Sequence, residues 1–249
     1  YSKEEYLKKL KEFKLNSYSG LQNVKKQARE VWLTFPMKFM HGRQNTNVSG
    51  DYIYNSKNVK DSFWVKEGEN LRYVQSCSYS PNNDSYDMCI AGLGSELCYE
   101  GSGVGIKTSE IKFACSTLSD SSRLTYVMSC HNSSDCFGCV GLRNKQYCIF
   151  NKQYTKEEYK KLVPRIIEHM NAMPYQDAKG RIYKFGEFFP PDIGFFAYNE
   201  TVAQEYLPLS KEEALKQGFT WRDSERKPYQ PTIHAKDLPD RIEDVPAEI

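Results

Sequence analysis

Asn58-Val-Lys-Asp-Ser-Phe-Trp-Val65 is followed by Asn70-Leu-Arg-Tyr-Val74, Ser85-Tyr-Asp-Met-Cys-Ile90 and Glu96-Leu-Cys-Tyr99. The same phrase returns as Glu110-Ile-Lys-Phe-Ala-Cys115, Arg123-Leu-Thr-Tyr-Val-Met128, Asp135-Cys-Phe-Gly-Cys-Val140 and Lys145-Gln-Tyr-Cys-Ile-Phe150. Each version opens on a polar residue, continues with alternating apolar and aromatic positions, and ends in a polar turn. The versions start about 10 to 15 residues apart, and self-similarity at a near-constant spacing is the mark of a stacked array. Strand-like alternation with a period of two is expected from Asn47 onward, because β-branched and aromatic residues sit between Asn, Ser, Gly and Asp. Asn and Asp suit such turns because they tolerate left-handed backbone. Two phrases, about 25 residues, are expected to form one coil of a parallel β-helix, giving about four to five coils. An antiparallel β-meander is the alternative. It is disfavoured because tight hairpins prefer Asn-Gly or Asp-Gly, and neither dipeptide occurs in the repeat.

The flanks read as helical. Ser2-Lys-Glu-Glu5 is a capping box, and Tyr6, Leu7, Leu10 and Phe13 follow at helical spacing. A second helix carries Leu21, Val24, Ala28, Val31 and Trp32 and closes before Phe35-Pro36. The pair is expected to pack together and lid the first coil. Thr155-Lys-Glu-Glu158 starts a third helix, with Tyr159, Leu162, Val163, Ile166, Ile167 and Met170 on one face and Pro164 expected to kink or interrupt it. Tyr1-Ser-Lys-Glu-Glu-Tyr6 matches Tyr154-Thr-Lys-Glu-Glu-Tyr159 at five of six positions. A duplication accounts for this, so the repeat is expected to end at Gln153 and another copy to precede Tyr1. The aromatic stretch Phe185-Gly-Glu-Phe-Phe-Pro-Pro191, with Phe195-Phe-Ala-Tyr198, is expected to be pinned against the solenoid or a partner. A short helix is expected over Asn199-Glu-Thr-Val-Ala-Gln-Glu-Tyr206, capped by Asn199. Another follows from the capping box Ser210-Lys-Glu-Glu213 to Gly218. The final thirty residues, with Pro228, Pro231, Pro239 and Pro246, read as an extended tail.

These readings make the fold mainly β with flanking helices: a parallel β-helix, or solenoid, capped by α-helices. The expected division is a helical cap over 1–44, the solenoid over 45–153, and a helix with a wrapping aromatic tail over 154–249. Composition agrees with an elongated body. The 249 residues are 39% apolar with a mean hydropathy of −0.68, lean for a layered core, yet 14% are aromatic. Lys and Arg total 34 against 32 Asp and Glu, so no global field argues for nucleic acid or an acidic partner. No apolar run reaches a membrane-spanning length. The opening on Tyr rather than Met points to a piece of a longer polypeptide, and the cytoplasm is the favoured compartment.

All eight cysteines (77, 89, 98, 115, 130, 136, 139 and 148) fall inside the repeat. Several recur at phrase intervals, which favours reduced, buried thiols stacked in a core over disulfides. Zinc is the sharper alternative. In Cys130-His131…Cys136-Phe-Gly-Cys139, the Cys-x-x-Cys pair aims two thiolates at one ion, and Cys130 or His131 completes a tetrahedral set. Residues three apart on a strand face opposite ways, so this site needs a turn or bulge at Gly138. A carbohydrate-active β-helix needs acids converging from successive coils. Asp51, Asp61, Asp84 and Asp87 do not share a repeat position in this reading. Lys156, Lys160, Lys161 and Arg165 beside Tyr159 read as the solvated face of a helix rather than a nucleic-acid surface.

The stretch Asp135–Tyr159, with Phe188-Phe-Pro-Pro191 and Ala197-Tyr-Asn-Glu-Thr-Val-Ala-Gln-Glu-Tyr206, resembles a family of uncharacterised proteins from uncultured bacteria. The resemblance covers most of the chain. It implies a Cys/Asn-rich repeat that occurs twice and zinc-ribbon-like Cys pairs near the termini, which this chain lacks. It implies no activity. The function expected is therefore a non-catalytic solenoid scaffold or interaction module. Its partner is an unidentified protein or another copy of the repeat in the same chain, with no cofactor and with no membrane or nucleic acid. A zinc-binding structural domain and a carbohydrate-active β-helix are the alternatives.

Overall fold

A computed structural model describes residues 1–77, 81–223 and 233–246. The chain divides into two compact units, Tyr1–Phe39 with Asp223–Ile249, and Met40–Arg222.

In the larger unit, one sheet is built from β1 (Gly42–Arg43), β2 (Thr46–Tyr54), β3 (Lys57–Lys66), β4 (Gly68–Cys77), β5 (Asn82–Gly92) and β6 (Ser95–Glu96). It continues through β7 (Tyr99–Gly105), β8 (Ser109–Cys115), β9 (Ser122–Met128), β10 (Ser134–Phe137), β11 (Gln146–Ile149) and β12 (Lys152–Gln153). Every pairing from β1 to β11 is parallel, which excludes the meander and establishes a parallel β-solenoid of about eight turns. One coil takes one phrase, not two. Gly42 lies opposite Ile53, eleven residues on; Val59 opposite Leu71, twelve; and Leu71 opposite Ser85, fourteen.

The reason is a backbone rule that alternation does not reveal. Asn58, Asp61, Trp64, Glu67, Asn70, Tyr73 and Ser76 all have φ between +48° and +58°. Each left-handed residue turns the chain by one corner, so inward positions recur every third residue instead of every second. Val59, Ser62, Val65 and Gly68 point inward on one coil, and Leu71 stacks under Val59 to begin the next. Four inner positions make a four-sided coil. A left-handed non-glycine residue costs roughly 1–2 kcal/mol. Against that, each triplet gains about 1.5–3 kcal/mol when its inner residue is a fully buried Val, Leu or Ile. The parallel ladder adds its hydrogen bonds, so burial outweighs the strain.

Polar inner residues are stapled rather than buried bare. The hydroxyl of Ser62 donates to the Lys60 carbonyl at 2.7 Å and accepts from the Val74 N–H at 3.1 Å, one coil on. Ser56, Ser85 and Ser133 repeat this device with Tyr54, Asn83 and His131 as acceptors and Gly68, Cys98 and Lys145 as donors. Outside the coils, Asn47, Asn58 and Asn70 form a ladder that ends on Asp84, with Nδ2–Oδ1 distances of 2.9, 3.1 and 2.8 Å.

The solenoid closes where β12 folds back antiparallel on β11, at Gln153. Thr155 and Glu158 then form the expected capping box of α3, whose label follows those of two N-terminal helices, α1 (Lys3–Glu12) and α2 (Tyr18–Trp32). Helix α3 (Lys156–Ala172) runs through Pro164 without interruption. Its Tyr159, Leu162, Val163, Ile166 and Met170 pack on Phe113, Tyr126, Phe137 and Ile149 of the late coils. Asn199 is not a helix cap. It sits in a 3-10 turn over Tyr198–Glu200 and ties Arg222 by two hydrogen bonds, while the short helix α4 spans only Ala203–Tyr206. Helix α5 (Lys211–Gln217) has its capping box and stops at Gly218 with φ +86°.

In the smaller unit, α1 and α2 bury no side chain, and Ser17 caps α2. Asp240 caps the same helix from afar, its carboxylate accepting from the Ser19 N–H at 2.7 Å and hydroxyl at 2.6 Å. Residues 233–246 therefore form structure, with 3-10 turns over Ala235–Asp237 and Ile242–Asp244. The rest of the tail reading, 224–232 and 247–249, lies outside the described residues.

Candidate functional site

Cys77, Cys98, Cys130, Cys136, Cys139 and Cys148 occupy inner positions and are buried; Cys89 is exposed and Cys115 half-buried. All eight are free thiols. The inner ones use the serine device. Cys98 Sγ donates to the Glu96 carbonyl at 3.3 Å, Cys136 to Ser134 at 3.3 Å and Cys139 to Phe137 at 3.3 Å, each two residues back. Cys139 Sγ also accepts from the Asn151 N–H, twelve residues on, at 3.4 Å. Cysteine here is an inner corner residue with more apolar bulk than serine. Burial pushes the Cys77 thiol up to about 12 and raises Cys98, Cys130 and Cys148 in the same direction.

Cys136 and Cys139 are three apart, yet both point inward, because the left-handed Gly138 (φ +64°) sets a corner between them. A Cβ at Gly138 would lie 2.6 Å from the Phe150 ring, so a larger residue there has to push that exposed ring aside. Their titrations are linked: Cys136 is raised by its neighbour Cys139 and by burial, while the same pairing and the Asn151 N–H hold Cys139 below an ordinary thiol. His131 follows the inner residue Cys130 directly and so faces outward, its Nδ1 3.2 Å from the Leu118 carbonyl. Among the described residues, no three His, Cys, Asp or Glu side chains gather in a group fit to hold a metal ion. The structure thus puts Cys130, Cys136 and Cys139 of the zinc set in one buried core, with Cys130 Sγ 3.5 Å from the Cys139 carbonyl, and turns His131 away from them.

The acids are dispersed. Asp51 accepts from the His41 N–H, Asp61 from the Ser49 hydroxyl at 3.1 Å, and Asp84 from Asn70. Asp61 and Asp87 do share an outer column, since Lys60 pairs with Arg72 and Arg72 with Tyr86, but Tyr73 stands between them. Tyr159 is not a stacking platform for Lys156 and Lys160: its ring turns to the solenoid and meets Tyr147 at 5.8 Å.

A cleft of about 1070 Å³ lies beside α3, within the larger unit. Phe137, Gly138, Val140 and Phe150 of the last coils form one wall and Leu162, Ile166 and Met170 of α3 another; Phe188, Phe189 and Ile193 close the third side. Arg165, Glu168, His169, Lys184 and Glu187 contribute the polar part of the lining. An aromatic stack fixes this architecture. Phe113 and Tyr126, thirteen residues apart, stack at 4.6 Å, and Phe185 packs edge-on to both at 6.4 and 6.0 Å. The Tyr126 hydroxyl donates to the Glu187 carbonyl at 2.9 Å and accepts from the Gly186 N–H at 3.1 Å, holding the 184–189 strap. Phe185 is pinned as expected, whereas Phe195 and Phe196 stay exposed. The cleft was not foreseen from the sequence. Its traces there were the thirteen-residue spacing of Phe113 and Tyr126 and an aromatic strap that lacked a partner.

Comparison with known families and with curated proteins finds no match.

Proposed function

We propose that this chain is a non-catalytic interaction module that presents the cleft beside α3 to an amphipathic helix of a protein partner. The observation that carries this reading is the wall of Val140, Phe150, Phe188 and Phe189. These large apolar side chains are exposed around a formed cleft, and contiguous exposed apolar surface marks sites of association. A helix is the fitting occupant because α3 already shows how a Tyr, Leu, Ile and Met stripe seats on these coils. Arg165 and Lys184 beside Glu168 and Glu187 offer both signs to the partner's polar flanks. The test uses the full chain and an anilinonaphthalene dye as probe for the apolar wall. Saturable fluorescence enhancement is expected, reduced at least about fivefold in affinity by Phe150→Asp. Enhancement that Phe150→Asp leaves unchanged, or no enhancement, removes the cleft as the site. A crosslinkable synthetic amphipathic helix then reads occupancy directly by mass spectrometry of α3 and 184–193 peptides.

A second reading, a carbohydrate-active solenoid, draws on the same cleft because Glu168 and Glu187 line it together with Tyr175 and Tyr183. Incubation with soluble polysaccharides tests it. Neither retarded migration nor release of reducing ends would leave the helix-binding reading alone.

A further inference from the structure

Helix α1 carries an apolar stripe that its own chain leaves open. Tyr6, Leu7, Leu10 and Phe13 lie on one side of it and are exposed at 56%, 45%, 38% and 44%. Phe13 belongs to the stripe because the cap residue keeps helical backbone, with φ −70° and ψ −15°. Helix α2 is less open, since Val24 and Ala28 of its stripe are half-buried. The cleft beside α3, walled by Phe150, Ile166, Met170 and Phe189, is shaped for such a stripe.

We propose that the occupant of this cleft is α1 of a second copy of this chain. The proposal rests on the helix-binding reading of the cleft and names its partner. The lengths agree. Tyr6 and Phe13 stand about 10.5 Å apart along the helix axis, and Leu162 to Met170 of the α3 wall span about 12 Å. The side chains agree as well. Helix α3 seats Tyr159, Leu162, Val163 and Ile166 on the late coils, and α1 offers Tyr, Leu, Leu and Phe after the same kind of capping box. At the borders of the α1 stripe stand Lys3 and Lys9, and the cleft presents Glu168 and Glu187 to them among its mixed charges. Every copy holds one cleft and one α1, so two copies satisfy each other in a closed two-fold pair.

Sedimentation velocity of the full 249-residue chain tests this from about 1 to 200 μM. The mass is expected to rise toward that of a dimer. Phe150→Asp in the cleft and Leu10→Asp/Phe13→Asp in α1 should each weaken the association at least about tenfold. An equimolar mixture of the two variants should recover a 1:1 pair of intermediate strength, because one intact α1 then meets one intact cleft. Without any variant, backbone hydrogen exchange over residues 6–13 and 184–193 should slow together as concentration rises. A monomer at every concentration overturns the proposal; dye binding that Phe150→Asp still weakens would then keep the cleft as a helix site for a different protein. Association that either variant leaves unchanged overturns it, as does a mixture that stays monomeric or exchange that slows in neither segment.

Discussion

The early coils, from Thr46 to Gln75, and the late coils, from Tyr99 to Ile149, share one backbone and differ in what faces outward. Both place an inner residue every third position and a left-handed corner before it. On one outer side the early coils show Asp61, Arg72 and Tyr73, open to solvent, and a half-buried Lys60. The equivalent columns of the late coils show Phe113, Tyr126, Phe137 and Ile149, covered by α3 and Phe185. The early coils are held from outside by polar ladders, the Asn47–Asn58–Asn70–Asp84 chain and the Lys57–Glu69 pair at 3.0 Å. The late coils are held by aromatic burial. Inner residues thus decide that a coil forms, and outer residues decide what docks on it.

The largest expected effect separates the two regions. Phe137 is 3% exposed and Phe63 is 51% exposed. Phe137→Ala should cost about 3–5 kcal/mol, and Phe63→Ala less than about 0.5 kcal/mol, by urea unfolding. Equal losses would dissolve the distinction between a docked and an open side. Next, the shared interior predicts that the staple matters more than its element. Ser62→Ala leaves the Val74 N–H buried without its partner and should cost about 1–3 kcal/mol. Cys98→Ser keeps the donor and should cost about 1 kcal/mol or less; a larger loss for Cys98→Ser would show that bulk, not bonding, governs these positions.

A gain is expected at a strained corner. Ile90 has φ +54° and is 62% exposed, so it carries left-handed strain without burial in return. Ile90→Asn should stabilise by about 1 kcal/mol, raising Tm by about 2–4 °C in a thermal scan. The smallest effect lies on the rim of the late coils. Arg123 grips Asp135 with two bonds of 2.8 and 3.0 Å, and this holds the Asp135 carboxyl below its ordinary 3.8. A carboxyl lowered by folding contributes stability above its unfolded value, and the contribution is lost as pH falls through the lower, folded value. Asp135→Asn should therefore cost about 0.5–1 kcal/mol at pH 7, discounted for the half-exposed arginine, and nothing once pH drops well below 3.8. A gap that persists in acid would assign the effect to packing.

Much of the fold was legible because its signals are local. Capping boxes at Ser2, Thr155 and Ser210 each need only four residues, and each forms. The inward stacking of most cysteines followed from their spacing. Coil length was misjudged for a definite reason. Asn58, Asn70 and Asp84 advertise left-handed backbone, but Trp64, Tyr73 and Ile90 adopt it without any residue-level signal. Hidden corners made a period of three resemble a period of two, and one coil resemble half of one.

The residues by themselves determined that parallel coils would stack, where helices would start, and that cysteine would sit among them as a small buried group. Only the tertiary structure decided the four-sided coil, the partition of Cys130, Cys136 and Cys139 from His131, and the cleft. A left-handed corner at a bulky residue is strained in isolation and survives because neighbouring coils bond it on both sides. The cleft joins residues 126–150 to 162–193, and it exists because α3 lays its apolar stripe on aromatic columns that become a surface once the coils are stacked.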